Sequence, residues 1–89
     1  MKSVHTPRYK KVVRALVEAR EAQGLSQRAF AEKIGRSDTF VANYERGERR
    51  LDIIELIDLA AALKLDVVEL VREVVGKAGN GNGGVQRSD

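Results

Sequence analysis

The sequence predicts an all-α protein, one compact domain of five helices with no strand. Three observations carry that expectation. Apolar residues recur at helical spacing in each segment that holds them. Each recurrence is bracketed by start and stop residues, with Ser, Thr or Asp before it and often Gly after it. Two later helices open on the same pair of signals, an acidic capping box and a leucine staple. With 89 residues there is room for one small domain, and 43% hydrophobic but only 4% aromatic content implies a mainly aliphatic core.

Thr6 can cap the first helix, with Pro7 at the first helical position, where its missing N–H costs nothing. Tyr9, Val12, Val13, Leu16, Val17 and Arg20 then form one continuous stripe. Gly24 stops the helix in the left-handed conformation. Arg20 stands on the stripe where an apolar residue is expected, so it requires a buried or half-buried partner. Ser26 caps a second helix, QRAFAEKI, with Phe30, Ala31 and Ile34 inward and Gly35 at its end. Ser37 caps a third only two residues later, a break so tight that the two helices must cross steeply. Asp52 and Glu55 open the fourth helix as a capping box, stapled by Leu51 and Leu56. Asp66 and Glu69, with Leu65 and Leu70, repeat the device at the fifth. From Gly76 the chain reads GKAGNGNGGVQRSD, with five glycines, two asparagines and Val85 as its only sizeable apolar side chain. Such a segment cannot offset ordering entropy. The expected organisation is a flexible N-terminus over 1–5, a helical domain over 6–75 and a disordered tail over 76–89.

Several function classes are excluded. Without Cys there is neither a disulfide nor a thiolate metal site, and the single histidine, His5, cannot build a metal cluster. There is no phosphate-binding glycine loop, and the Asp52/Glu55 pair is accounted for by capping, so no enzyme, cofactor or metal is expected. The apolar runs fall far short of the ~20 residues that cross a bilayer. Charges interrupt the N-terminal apolar residues, so they make no signal-peptide core. A cytoplasmic protein without a membrane partner is the expectation. Its net charge of +3 divides into +6 over residues 1–50 and −3 over residues 51–89. That polarity suits a polyanion on one side.

The segment between helices 2 and 3 meets a demanding pattern. Counting from Gln27, the fifth residue is Ala31, the ninth Gly35, the fifteenth Val41 and the eighteenth Tyr44. A small residue for close approach, a glycine for positive φ and apolar residues for the wedge make a helix-turn-helix, whose second helix enters the DNA major groove. The outer face of helix 3 carries Asp38, Thr39, Ala42, Asn43 and Arg46, a small hydrogen-bonding surface followed by Arg49 and Arg50.

Residues 12–71 resemble the single-domain helix-turn-helix proteins of the lambda/434-type repressor and Cro group, the Xre family. The resemblance rests on GLSQRAFAEKIGRS and YERGERR, with LIDLAAALKLDVVEL following at the matching distance. Leu51-Asp52 replaces a common Pro-Ser, which implies a different loop path, although Asp52 still caps. The fold implied is the compact five-helix lambda-repressor-like domain, and the function implied is sequence-specific regulation of transcription, as a repressor or autoregulator.

The resemblance also implies site residues. Asp38, Thr39, Ala42 and Asn43 occupy the positions that read base edges. Asn43 can pair bidentately with adenine, Thr39 can bond a base or touch a thymine methyl, and Ala42 offers apolar contact. Asp38 has two readings, acceptance from cytosine N4 or a favourable place at the helix dipole. Gln27 corresponds to a glutamine that reaches a phosphate and buttresses the recognition helix. Arg28, Arg36, Arg46, Arg49 and Arg50 surround helix 3 as phosphate contacts, which position without reading sequence. Phe40 is open between core packing against helix 2 and pressing on sugars at the groove edge. Lys10, Lys11 and Arg14 read as a solvated face. Arg20 and Glu45 correspond to an ion pair between helices 1 and 3, which supplies the partner that Arg20 requires.

One helix reads few base pairs, and members of the family dimerise on palindromes with half-sites about one helical turn, ~34 Å, apart. Here Val67, Val68, Leu70, Val71, Val74 and Val75 make helix 5 wider in apolar residues than one core stripe needs. A homodimer is expected through this helix, above all through Val67, Leu70, Val71, Val74 and Val75, with the end of helix 4 as a further element. An alternative use of the same fold is an antitoxin or protein-interaction module with a regulatory protein partner.

Overall fold

The computed structural model describes residues 6–79, with side chains described as far as Gly76. The expected flexible N-terminus over 1–5 and residues 80–89 of the expected tail lie outside the described residues. The chain forms α1 (Pro7–Ala22), α2 (Gln27–Ile34), α3 (Asp38–Glu45), α4 (Ile53–Ala62) and α5 (Val67–Gly79), with no strand among the described residues. No helix among them is long and apolar enough to cross a membrane.

Each helix start is held by a short polar side chain. Thr6 Oγ1 accepts from Tyr9 N at 3.2 Å, Ser26 Oγ from Ala29 N at 3.0 Å, and Ser37 Oγ from Phe40 N at 3.1 Å. The Asp52–Glu55 box is closed in both directions, at 2.7 and 3.0 Å. At α5 only half of the expected box forms: Asp66 Oδ1 accepts from Glu69 N at 3.1 Å, while the Glu69 carboxylate lies 3.4 Å from Arg72 Nε on the next turn instead of accepting from Asp66 N.

The helix ends share one device. After each of the first four helices a left-handed residue turns the chain, and the following N–H reaches back five residues. The bonds are Leu25 N to Arg20 O at 3.2 Å, Arg36 N to Ala31 O at 3.0 Å, Glu48 N to Asn43 O at 2.8 Å and Leu65 N to Ala60 O at 2.8 Å. Gly24, Gly35 and Gly47 supply the left-handed residue at three of these ends, and Lys64, with φ 61°, supplies the fourth. These turns keep the links short, so α2 and α3 cross with only Gly35, Arg36 and Ser37 between them.

Leu16, Phe30, Val41 and Tyr44 are the largest fully buried side chains, and Ala31, Phe40, Leu51, Leu59 and Leu63 complete the cluster around them. Aromatic residues are few, yet three of them occupy this centre. Their large areas let a short chain close a core with few residues. Two longer bonds bind the periphery to it: Leu51 N donates to Tyr9 Oη at 2.9 Å, and Gln23 Nε2 donates to Leu63 O at 2.7 Å.

Two further expectations need correction. The helical domain does not stop at residue 75, because α5 continues through Gly76 to Gly79. A glycine lowers helix propensity by about 1 kcal/mol, which preceding turns can carry. Leu70, counted with the dimer surface, is only 6% exposed; it faces inward as the stapling residue of α5.

The terminators give a stability prediction of opposite signs. Gly35→Ala should lower stability by about 1–2 kcal/mol through backbone strain alone, since an added Cβ meets nothing within 4 Å. Lys64→Gly should raise it by up to about 1 kcal/mol, because it relieves the same strain. Urea denaturation of both variants checks the pair.

Candidate nucleic-acid interface

The third helix has eight residues, too few to be stable alone, so packing decides its direction. Val41 and Tyr44 are fully buried on its inner side. On its outer side Asp38, Thr39 and Arg46 are exposed, and Ala42 and Asn43 are half-buried. A shallow groove joins this face to the start of α2, lined by Ser26, Gln27, Arg28, Asp38, Thr39 and Ala42. Among these, Asp38, Thr39 and Ala42 belong to the expected base-reading set, and Gln27 and Arg28 to the expected phosphate set. Asn43 Oδ1 accepts from Arg46 Nη2 at 2.8 Å, which uses one of its two lone pairs and leaves the amide with both a donor and an acceptor.

Behind the groove lies a buried charged hub. Arg20 Nε donates to Glu45 Oε2 at 2.7 Å and Arg20 Nη2 to Glu45 Oε1 at 3.1 Å, a bidentate pair. Arg20 Nη1 donates to Leu25 O at 2.6 Å, and Gln27 Nε2 donates to Glu45 Oε1 at 2.8 Å. Hydrogen bonding to Glu45 raises the guanidinium pKa of Arg20 against the opposing effect of burial. The Arg20 and Glu45 side chains are 10% and 6% exposed, so this pair is shielded from salt and water. Gln27 thus serves as a strut from α2 to α3.

A second cluster gathers at the start of α3. The Arg36 guanidinium carbon lies 3.7 Å from the Phe40 ring centroid, and that of Arg49 lies 4.9 Å from it. Arg49 Nη1 and Nη2 each donate to one oxygen of Glu55 at 2.9 Å, and Arg36 Nη1 lies 3.8 Å from Glu55. Between its two readings Phe40 falls to the core: its ring is 6% exposed and packs 5.4 Å from that of Tyr44. It does not belong with the groove-edge contacts, because it is buried and two arginines lie over its ring.

The remaining arginines differ in freedom. Arg46 is paired with Glu48 at 3.1 Å. Arg28 and Arg50 have no ion pair among the described residues. On α5 Val68, Val71 and Val75 are exposed, whereas Val67 and Val74 are half-buried. Ile53, Ile54 and Ile57 of α4 are exposed as well. The sequence reading passed over these three isoleucines, although their signal was present. Leu56, Leu59, Ala60 and Leu63 already fill one helical stripe, so IIELIDL holds more apolar residues than one face can bury. Glu55 was assigned to capping alone. No group of metal-binding side chains occurs among the described residues.

A steeply crossed helix pair, braced by a buried ion pair and presenting a small polar outer face beside arginines, defines a helix-turn-helix DNA-binding domain. The chain belongs to the Xre, lambda-repressor-like helix-turn-helix family, whose profile matches residues 16–70. Among solved structures it is similar to an XRE-family like protein from Pseudomonas syringae pv. tomato str. DC3000. The two are 36% identical, with 85% of this chain and 93% of that one covered and a TM-score of 0.76. No curated protein matches the chain. Its class is that of DNA-binding transcription regulators, not of enzymes.

Two predictions follow from the buried groups. Arg20→Ala should cost about 3–5 kcal/mol in urea denaturation, because it leaves the Glu45 charge buried and unpaired. Tyr44→Phe should cost nothing: the Tyr44 hydroxyl is buried without a hydrogen-bond partner, and burial pushes its pKa upward, so it stays neutral. The Glu55 carboxyl predicts a pH dependence. Hydrogen bonding to Arg49 and to Asp52 N lowers its pKa from the usual 4.5. Its contribution is therefore complete above that value and is lost as pH falls through the lower folded one. The stability difference between the protein and its Glu55→Gln variant should shrink correspondingly in acid.

Proposed function

We propose that the protein is a sequence-specific repressor or autoregulator that binds a palindromic operator as a homodimer, with α3 in the major groove. The observation that carries this reading is the outer face of α3, small and polar, held in one direction by the Arg20–Glu45–Gln27 hub. Asn43 and Thr39 would read bases, Ala42 would contact an apolar base edge, and Asp38 would accept from cytosine or favour the helix dipole. Gln27, Arg28, Arg36, Arg46, Arg49 and Arg50 would hold the phosphates. The action takes place in the cytoplasm, at the nucleoid.

Dimerisation is supported by the exposed aliphatic surface of α5 and α4, where Val68 and Ile53 are 61% and 63% exposed. On α5 Val71 and Val75 are exposed with Val68, and Val67 and Val74 are half-buried. The same surface favours one second reading, in which it holds a regulatory protein partner, as in an antitoxin.

Selection from a pool of randomised duplexes tests the proposal. Enrichment of a palindrome is expected, with base preference altered by Asn43→Ala and affinity lowered evenly at all sites by Arg28→Ala or Arg50→Ala. No enriched sequence, and binding that vanishes at moderate salt, would sink it. In sedimentation Val71→Asp should turn a dimer into a monomer. A protein that is monomeric before the change removes the homodimer.

A further inference from the structure

Arg49 is the most constrained arginine beside α3, and its bonds leave a specific remainder. A guanidinium has five N–H groups in fixed directions. In Arg49 three of them are committed: Nη1 and Nη2 to the two oxygens of Glu55, and Nη1 again to Arg50 O at 3.1 Å. The other two, on Nε and on the outer side of Nη2, point the same way and form the second fork of the group. Neither has a partner among the described residues, and the side chain is 40% exposed. The Phe40 ring restrains the plane from the side. Glu55 is itself held, since its Oε1 accepts from Asp52 N at the start of α4, and it is only 17% exposed. Arg36, 42% exposed, stands at the same ring and within 3.8 Å of the same carboxylate.

From this geometry we propose that Glu55 is a positioning residue for DNA binding: it fixes Arg49 so that its Nε and Nη2 fork is preset for one phosphate of the DNA backbone. The inference rests on the DNA-binding reading and deepens it. A free arginine loses rotamer freedom when it binds phosphate, and one already held by a carboxylate and a ring loses little. Glu55 therefore aids a polyanion partner although it carries the same sign of charge. That contradiction makes the proposal testable, because simple electrostatics and positioning predict opposite effects for its neutralisation.

The test uses the full chain, a mixed-sequence DNA duplex, and the variants Glu55→Gln, Arg49→Lys and the two combined. Glutamine keeps an oxygen for Asp52 N, so the capping box and the fold persist. It raises the net charge from +3 to +4, which by electrostatics alone would tighten binding. The expected result is the reverse: Glu55→Gln binds about fivefold more weakly, with a salt dependence shallower by about one phosphate. Arg49→Lys, which keeps the charge and loses the fork, should show the same loss, and the double variant should be no weaker than either. Circular dichroism melting confirms that each variant is folded, and the Arg49→Lys comparison holds even if Glu55→Gln unfolds. Unchanged or tighter binding by Glu55→Gln, or no loss in Arg49→Lys, overturns the positioning role while the DNA-binding reading stands. Failure of the unaltered protein to bind the duplex at all overturns both.

Discussion

One carboxylate organises the molecule. Glu45, at the last position of α3, accepts from Arg20 on α1 twice and from Gln27 on α2 once. Arg20 in turn holds the carbonyl of Leu25 in the link between those helices. Three helices and a turn are thereby referred to a single buried charge. Desolvating such a pair offsets much of its attraction, so its net stabilisation is small beside what an apolar replacement could give. What it supplies is direction. Apolar packing tolerates sliding and rotation, whereas bidentate bonds plus a third donor admit one placement of α3 relative to α1 and α2. For a helix of eight residues proposed to read a groove, that placement is the property on which such reading would depend.

The helix ends make this placement possible. A buried hub near the end of α3 is useful only if α2 and α3 arrive at a fixed angle. The shared terminator, with one left-handed residue and a bond back over five residues, leaves the link no slack. In three of the four links the cap of the next helix follows two residues after the left-handed residue, so those links are bounded closely on both sides by hydrogen bonds. The core closes over this frame with three aromatic side chains at its centre.

Local chemistry was legible in the sequence, and so was the inner face of the crossed helices. Caps, the Asp52–Glu55 box and glycine terminators act within a few residues, and Ala31, Gly35, Val41 and Tyr44 are set by the spacing of two short helices. Three features were not legible, each for a physical reason. Lys64 ends α4 in a conformation that side chains disfavour, so nothing at that position announces it. Phe40 lies at the margin of the inner face, where helical periodicity permits either side, and only the arginines drawn over its ring decide the matter. The Arg49–Glu55 pair spans a loop, where no period relates one residue to another, and Glu55 already had a sufficient role in capping. The surplus of apolar residues in α4 was readable, but it says only that some are exposed, not which.

The charge of the interface must be counted after folding. Residues 1–50 carry a net +6, which suggests a broadly attractive surface for any polyanion. In the structure Arg20 is spent on Glu45, Arg46 is paired with Glu48, and Arg36 and Arg49 share Glu55, whose charge belongs to the acidic half of the chain. The surface that surrounds α3 is therefore less positive than the sequence count. Its cations are also held in set directions by neighbouring carboxylates, while Arg28 and Arg50 stand without an ion pair among the described residues. Diffuse positive charge favours every nucleic acid alike and fades with salt. Directed donors favour a duplex whose phosphates stand where the donors point. On the proposed reading, in a small domain with few residues available to read bases, moving cationic capacity from the first kind to the second would lower binding elsewhere and leave one register comparatively favoured.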